Sequence, residues 1–302
     1  MLSKIQWDFV GNRRKWYAMS IALIALGLLF TLLPGQGLRL GIDFTGGLYL
    51  DIRFEQAPDV SQVREILGAL DLEQSVVQRS AESIIIRTPP VDAAGRDALL
   101  AGLRAEWPDL ELMNLEEVQP VIGQELGGQA VLALAVALLG MIIYITYRFE
   151  FKFAIAAIVA LFHDALVTLS ILAILGVEIN SPFVAAVLLI VGYSVNDTIV
   201  LFDRIRENVG DRAKEPLPVV VNDSITQMLS RSVNTSATTL LAIGSMLVLG
   251  GRTIQDFALA LFLGVLAGTY SSIFIASPFW TGWKLAEANR GRSVLGKKAT
   301  AK

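Results

Sequence analysis

Six apolar runs, each about long enough to cross a bilayer, constrain this chain more than any other feature. A helix needs about 20 apolar residues to traverse the hydrocarbon core. The runs occupy residues 17–33, 130–147, 153–175, 183–202, 233–249 and 257–279. Turn or charged residues close them: Pro34-Gly35, Arg148, Asp203-Arg204, Gly250-Gly251-Arg252 and Lys284. Composition agrees, with 54% hydrophobic and 18% charged residues and a mean hydropathy of +0.57. A soluble domain holds roughly 45–50% apolar and 25% charged residues. The expected fold is therefore an α-helical polytopic membrane protein with six transmembrane helices.

Several function classes drop out at once. With no cysteine and one histidine, the chain has no disulfide, thiolate metal site, Cys nucleophile or His-rich metal centre. No metal and no cofactor are expected. The net charge of −3 gives no basic footprint for nucleic acid.

The charge is unevenly spread. Between Pro34 and Gly128 there are 16 acidic residues against 7 arginines, so one acidic domain interrupts a basic, apolar chain. Lys and Arg set orientation. With the N-terminus inside, 17 Lys and Arg fall in cytoplasmic segments, and the short loops opposite hold Arg252 alone. Both termini are expected in the cytoplasm and the acidic domain outside it. Basic residues before the first run could mark a signal peptide, but Pro34-Gly-Gln-Gly is no small-x-small cleavage site, so a retained anchor is expected.

The interrupting domain changes period. Leu48-Tyr-Leu-Asp-Ile-Arg-Phe alternates as a half-buried strand. Asp59 precedes a helix with Val60, Val63, Ile66 and Leu67 on one face. Strands at Ser75-Val-Val-Gln and Ser83-Ile-Ile-Ile-Arg are joined by a tight turn at Ser80-Ala-Glu. Asp92 opens a helix carrying Leu99, Leu100 and Leu103, and Glu111-Leu-Met-Asn-Leu-Glu-Glu-Val is a fourth strand. The order β-α-β-β-α-β predicts a ferredoxin-like α+β extracytoplasmic domain. It shows no nucleophile–base pair or phosphate loop, so it reads as a protein-contact module.

Ionisable groups inside a membrane are costly and are functional candidates by default. Asp197 lies seven residues before Arg204, about 10 Å from the cytoplasmic edge at 1.5 Å per residue. Its i±3 and i±4 neighbours, Tyr193, Ser194, Val200 and Leu201, include no cation. It must pair across helices, line a wet cavity or carry a proton; a static interhelical hydrogen bond is the alternative. His163 and Asp164 sit near the middle of the third run. As adjacent residues they point about 100° apart, so they are not expected to share a partner. Histidine as a residue type titrates near neutral pH, which makes His163 a relay candidate. Arg231 opens the fifth run and could simply snorkel. The polar residues after it, Ser232, Asn234, Thr235, Ser236, Thr238 and Thr239, suit a wet or helix-facing surface. Gly264 and Gly268 form a small-xxx-small pair.

Four stretches carry a family resemblance. They are Gly41-Ile-Asp-Phe-Thr-Gly-Gly47, His163-Asp164, Val191-Gly-Tyr-Ser-Val-Asn-Asp-Thr198 with Asp203-Arg-Ile-Arg-Glu-Asn208, and Ser230-Arg-Ser-Val-Asn-Thr235. Together they resemble the SecF branch of the SecD/SecF family, which is related to the resistance–nodulation–division transporters. The resemblance implies a component of the bacterial cytoplasmic (inner) membrane, not an enzyme. It would work with SecD beside the SecYEG channel, using the proton-motive force to draw an unfolded translocating polypeptide across. It implies that Asp197 carries the proton and that Arg231 works with it, with Asp164 and His163 as further coupling candidates. Ser194, Asn196, Thr198, Asn234 and Thr235 stand as supporting polar groups, and Asp43, Phe44, Thr45, Gly46 and Gly47 as the motif outside the membrane. Six spans make half of a two-fold-like transporter body, whose sites form at the repeat interface.

The expected organisation is therefore a cytoplasmic N-terminus and first helix over 1–33, then the outside domain over 34–128. A five-helix block follows over 129–283, with a cytoplasmic loop at about 203–230, and a basic tail over 284–302. Two rivals remain. One is a non-transducing membrane scaffold whose polar groups only pack. The other is a small-molecule exporter, which the single small outside domain argues against.

Overall fold

The computed structural model describes residues 7–32, 39–55, 58–79 and 83–299. The turn expected at Ser80-Ala-Glu and the boundary expected at Pro34-Gly35 lie outside the described residues. Helix α1 is Arg13–Leu32, and strand β1 is Gly47–Arg53. Helix α2 is Val60–Ala69, β2 is Val76–Arg79 and β3 is Ser83–Thr88. Helix α3 is Ala93–Glu106 and β4 is Glu111–Val118. Four long helices follow: α4 (Pro120–Arg148), α5 (Phe151–Leu175), α6 (Ser181–Asp211) and α7 (Leu217–Leu249). The chain ends in α8 (Arg252–Ser271), a π-helical segment (Ser272–Ala276) and α9 (Ser277–Ala299).

The chain divides into two compact units. The smaller is Leu40–Ala133 with Ile179–Ser181. Its four strands pair in the order β2-β3-β1-β4, every neighbour antiparallel. That is the split β-α-β-β-α-β arrangement the hydrophobic pattern predicts. Its helices start where capping chemistry dictates. The Asp59 carboxylate accepts the Ser61 N–H at 2.9 Å, while the Gln62 side chain accepts the Asp59 N–H at 3.0 Å. Asp92 accepts the Gly95 N–H at 2.8 Å. Val63, Leu67, Leu99 and Leu103 then pack on Leu48, Leu50, Ile52, Ile84 and Ile86 of the sheet. Burying each such side chain contributes about 1.5–3 kcal/mol.

The sharp entry to this sheet explains a glycine pair. Gly46 has φ +72° and Gly47 has φ +134°, conformations that L side chains rarely adopt. A Cβ on Gly47 would lie 2.3 Å from the Thr88 carbonyl oxygen, and one on Gly46 would meet Pro120 N at 2.8 Å. Both positions are closed to side chains.

The larger unit holds the membrane helices, except for the first part of α4, up to Ala133, and Ser181 at the start of α6, which belong to the smaller. Six helices are long and apolar enough to span: Arg13–Leu32, Pro120–Arg148, Phe151–Leu175, Ser181–Asp211, Leu217–Leu249 and Ile254–Arg290. α5, α6 and the last span form the buried centre, whereas α1, α4 and α7 are largely exposed. Small residues set that centre. Ala154, Ala156, Ala157 and Ala160 of α5 are fully buried, and small side chains let helices approach closely. The Gly264/Gly268 pair faces α6. A Cβ there would strike Ile190 at 2.1 Å and Ser194 at 2.9 Å. Phe153 stacks on Trp280 with centroids 4.5 Å apart, closing one end of the core.

Two helices overrun their apolar windows. α6 continues to Asp211 and α7 begins at Leu217, so the loop expected over about 203–230 is mostly helix. The physical reason is amphipathicity. Val220, Val221 and Ile225 are buried on one face of the early part of α7, while its polar face keeps mean hydropathy low. Arg231 consequently sits inside α7 rather than at its start.

Candidate functional site

Two carboxyl groups, Asp164 and Asp197, fall inside the apolar runs of the membrane helices, and hydroxyls hold both. Asp164 on α5 is fully buried. Its Oδ2 accepts hydrogen bonds from Ser194 Oγ on α6 at 2.6 Å and Ser271 Oγ on α8 at 2.9 Å. Its Oδ1 lies 3.0 Å from His163 Nδ1. The two adjacent side chains take separate further partners while meeting each other. The His163 ring folds back onto Asp164, and its Nε2 lies 2.8 Å from Ser20 Oγ of α1. Tyr270 stacks on that ring at 5.7 Å between centroids. Thr168, one turn beyond Asp164, is buried, but its hydroxyl has no hydrogen-bond partner among the described residues.

Asp197 on α6 is partly buried. Its Oδ1 accepts from Ser232 Oγ on α7 at 2.8 Å, and its Oδ2 from Ser272 Oγ at 2.6 Å. Among the described residues no cation pairs with it. Of the open readings at Asp197, the structure thus displays an interhelical hydrogen-bonded carboxyl without a counter-ion.

Arg231 does not reach Asp197 in this conformation. Its side chain is exposed and forms no ion pair among the described residues. It lines a cavity of about 360 Å³ together with Tyr144, Arg148, Asp203, Arg204 and Glu207. The two residues are linked indirectly, because Ser232, next in sequence, is the Asp197 donor.

The remaining predicted groups separate by role. Ser194 serves Asp164 rather than the Asp197 three residues on. Thr198 is buried, while Asn196, Asn234 and Thr235 are exposed. The Thr235 hydroxyl donates to the Arg231 carbonyl at 2.9 Å. In the smaller unit, Asp43 accepts the Ser181 N–H at 2.7 Å. The Thr45 hydroxyl lies within hydrogen-bond reach of the Gly41 and Gly46 carbonyls. The Phe44 backbone passes so close to α4 that a Cβ on Gly123 would lie 2.6 Å from its carbonyl oxygen. Asp43, Phe44, Thr45, Gly46 and Gly47 thus act here as a backbone fold.

Sequence reasoning missed Ser20, Tyr270, Ser271 and Ser272. The available signal was the polar run Thr269-Tyr-Ser-Ser272 in the middle of an otherwise apolar span. Hydroxyls are cheap to bury when bonded to their own helix, so such a run draws little notice.

Comparison with known proteins follows this geometry. Residues 100–286 match the family described as protein export membrane protein SecD/SecF, C-terminal, and residues 31–58 match the SecD/SecF GG motif. The protein translocase subunit SecF of Thermodesulfovibrio yellowstonii is 41% identical over 92% of this chain and 95% of its own length. That of Pseudomonas aeruginosa is 41% identical over 89% of each. The crystal structure of SecDF, a translocon-associated membrane protein from Thermus thermophilus, superposes with a TM-score of 0.85 at 37% identity. The match covers 94% of this chain and 39% of that longer one.

Proposed function

This chain belongs to the SecD/SecF family of protein-export membrane proteins, as a SecF-type translocase subunit, and from that premise we propose that it couples proton movement to polypeptide export. The observation that carries the reading is Asp197: a carboxyl within a membrane span, bonded among the described residues only to the Ser232 and Ser272 hydroxyls. A carboxyl without a fixed counter-ion can gain and lose a proton without breaking an ion pair. A proton entering from the far side neutralises Asp197, leaves toward the cytoplasm, and changes which helix packing is preferred. One charge crossing the membrane potential is worth about 2.3 kcal/mol per 100 mV. That biases a two-state element roughly fifty-fold.

The partner is a SecD subunit supplying the other half of the transporter body. The superposition on SecDF, with this chain spanning 39% of that chain, supports this pairing. The pair works beside the SecYEG channel on an unfolded polypeptide, in the bacterial inner membrane, with both termini cytoplasmic and the sheet domain outside. Arg231 acts in the other half of the cycle, when the helices bring its guanidinium toward the carboxyl.

The test is proton-driven export from vesicles at matched subunit abundance. Asp197→Asn keeps size and hydrogen bonding but carries no proton, so export driven by the gradient stops while assembly with SecD persists. Asp197→Glu retains part of the activity. If Asn matches wild type and Glu is the worse of the two through overpacking, the residue only packs helices and the chain is a scaffold.

A further inference from the structure

The last span changes helix type at the level of the two carboxyls. α8 ends at Ser271, and Ser272–Ala276 is π-helical. Such bulges are rare and frequently mark functional positions. Here the step presents two consecutive hydroxyls to two different helices. Ser271 Oγ donates to Asp164 on α5, and Ser272 Oγ donates to Asp197 on α6. Each hydroxyl also has a second acceptor one turn back on its own helix. For Ser271 it is the Gly268 carbonyl, and for Ser272 the Thr269 carbonyl, both at 3.2 Å. Further along, the Ser277 hydroxyl occupies the Ser272 carbonyl at 2.9 Å, five residues back.

This pairing of acceptors matters because a carboxyl changes its hydrogen-bond role when it titrates. A carboxylate only accepts; a carboxylic acid also donates one O–H. With two hydroxyls pointing at it, a newly protonated Asp197 needs one of them to turn round. Ser272 can do so at no loss: it accepts the acid O–H and redirects its own proton to the Thr269 carbonyl. Ser271 has the same choice between Asp164 and Gly268. Without the second acceptor, a buried donor would be left unpaired, at a cost of about 1–3 kcal/mol.

We propose that Ser271 and Ser272 are positioning residues: two-way hydroxyls that let Asp164 and Asp197 change protonation while tying both to one junction, where α8 passes into the π-helical segment. The proposal rests on the proton-coupling reading of Asp197 and adds a second carboxyl to the same moving part. A proton change at either carboxyl switches a hydrogen bond to a carbonyl in the last turn of α8. The other titratable groups within the apolar runs of these elements are Tyr17 on α1, His163 on α5, Tyr193 on α6 and Tyr270 on α8, and Arg231 on α7 adjoins Ser232.

The experiment is infrared difference spectroscopy on the full chain co-reconstituted with its SecD partner, scanned across pH. Asp197→Asn and Asp164→Asn assign the two protonated-carboxyl bands. Ser272→Ala is expected to shift the Asp197 band to higher frequency, as a hydrogen bond is lost, and Ser271→Ala to do the same for Asp164. Ser272→Thr, which keeps the hydroxyl, restores the Asp197 band. Ser271→Ala is also expected to move the pH midpoint of the Asp197 band, because the two hydroxyls are consecutive at the same helix junction. An Asp197 band unchanged by Ser272→Ala, or a midpoint indifferent to Ser271→Ala, overturns the proposal. Neither readout uses export. Export by Asp197→Asn would remove the proton-coupling reading and leave these bands to decide this one.

Discussion

Asp164 and Asp197 occupy similar apolar helices but are solvated differently. Asp164 is sealed from every side and answered by an imidazole and two hydroxyls. Asp197 is only partly buried and has two hydroxyls alone. The difference traces to neighbours no local pattern contains, since Ser232 and Ser272 are 35 and 75 residues away in sequence. Arg231 makes a sharper case. Snorkelling needs only a charge, so under that role Arg231→Lys is harmless. A guanidinium that forks onto a carboxyl uses planar donors that an ammonium lacks. Arg231→Lys is therefore expected to insert normally and lose proton-driven export, read in the same vesicles at equal abundance. Full export with Lys would return Arg231 to simple membrane-edge charge.

At the scale of elements, caps and small residues place most of the structure. α2 begins at Asp59 because its carboxylate accepts the Ser61 backbone N–H and hydroxyl. Those bonds hold its carboxyl below the usual carboxylate range. A lowered folded value stabilises above the unfolded value and is lost as pH falls through the folded one. So the cap holds at neutral pH and weakens once pH drops below about 4. Hydrogen-exchange protection of α2 in the full chain, corrected for intrinsic rates, measures this. Asp59→Ala is expected to lower protection at pH 7, with the gap to wild type narrowing as acid protonates the carboxylate. Asp59→Asn keeps a side-chain acceptor and should remove the pH dependence rather than the cap. A gap that does not narrow at all as pH falls through the carboxylate range would assign the effect to something other than the carboxylate.

For the whole molecule, six spans and one sheet domain imply a sidedness. Seventeen Lys and Arg flank the spans on one side, and Arg252 stands alone in the short loops opposite. The absence of native cysteine makes single-cysteine probes clean. Asp109→Cys, on the exposed connection before β4, is expected to react with an impermeant maleimide from outside intact cells. Ala213→Cys, between α6 and α7, should react only after the membrane is opened. Reversed labelling would invert the topology and put the sheet domain on the cytoplasmic side.

Periodicity and charge determine what local forces decide. The six apolar runs, the alternation of β1, the Asp59 and Asp92 caps and the β-α-β-β-α-β order are all readable residue by residue. Bilayer thickness, backbone satisfaction and capping act over one or two turns. The same reading isolates Asp164, Asp197 and Arg231, because an ionisable group stands out against an apolar run. Only tertiary structure decides which groups meet. Gly264 and Gly268 read as a weak pair until α6 is laid against them, and Ser194 reads as support for Asp197 until it is found on Asp164. Ser271 and Ser272 hide in a span because a hydroxyl bonded to its own helix costs little. Their part appears when the π step turns them toward two carboxyls on separate helices, a meeting set by packing between distant segments rather than by any signal along the chain.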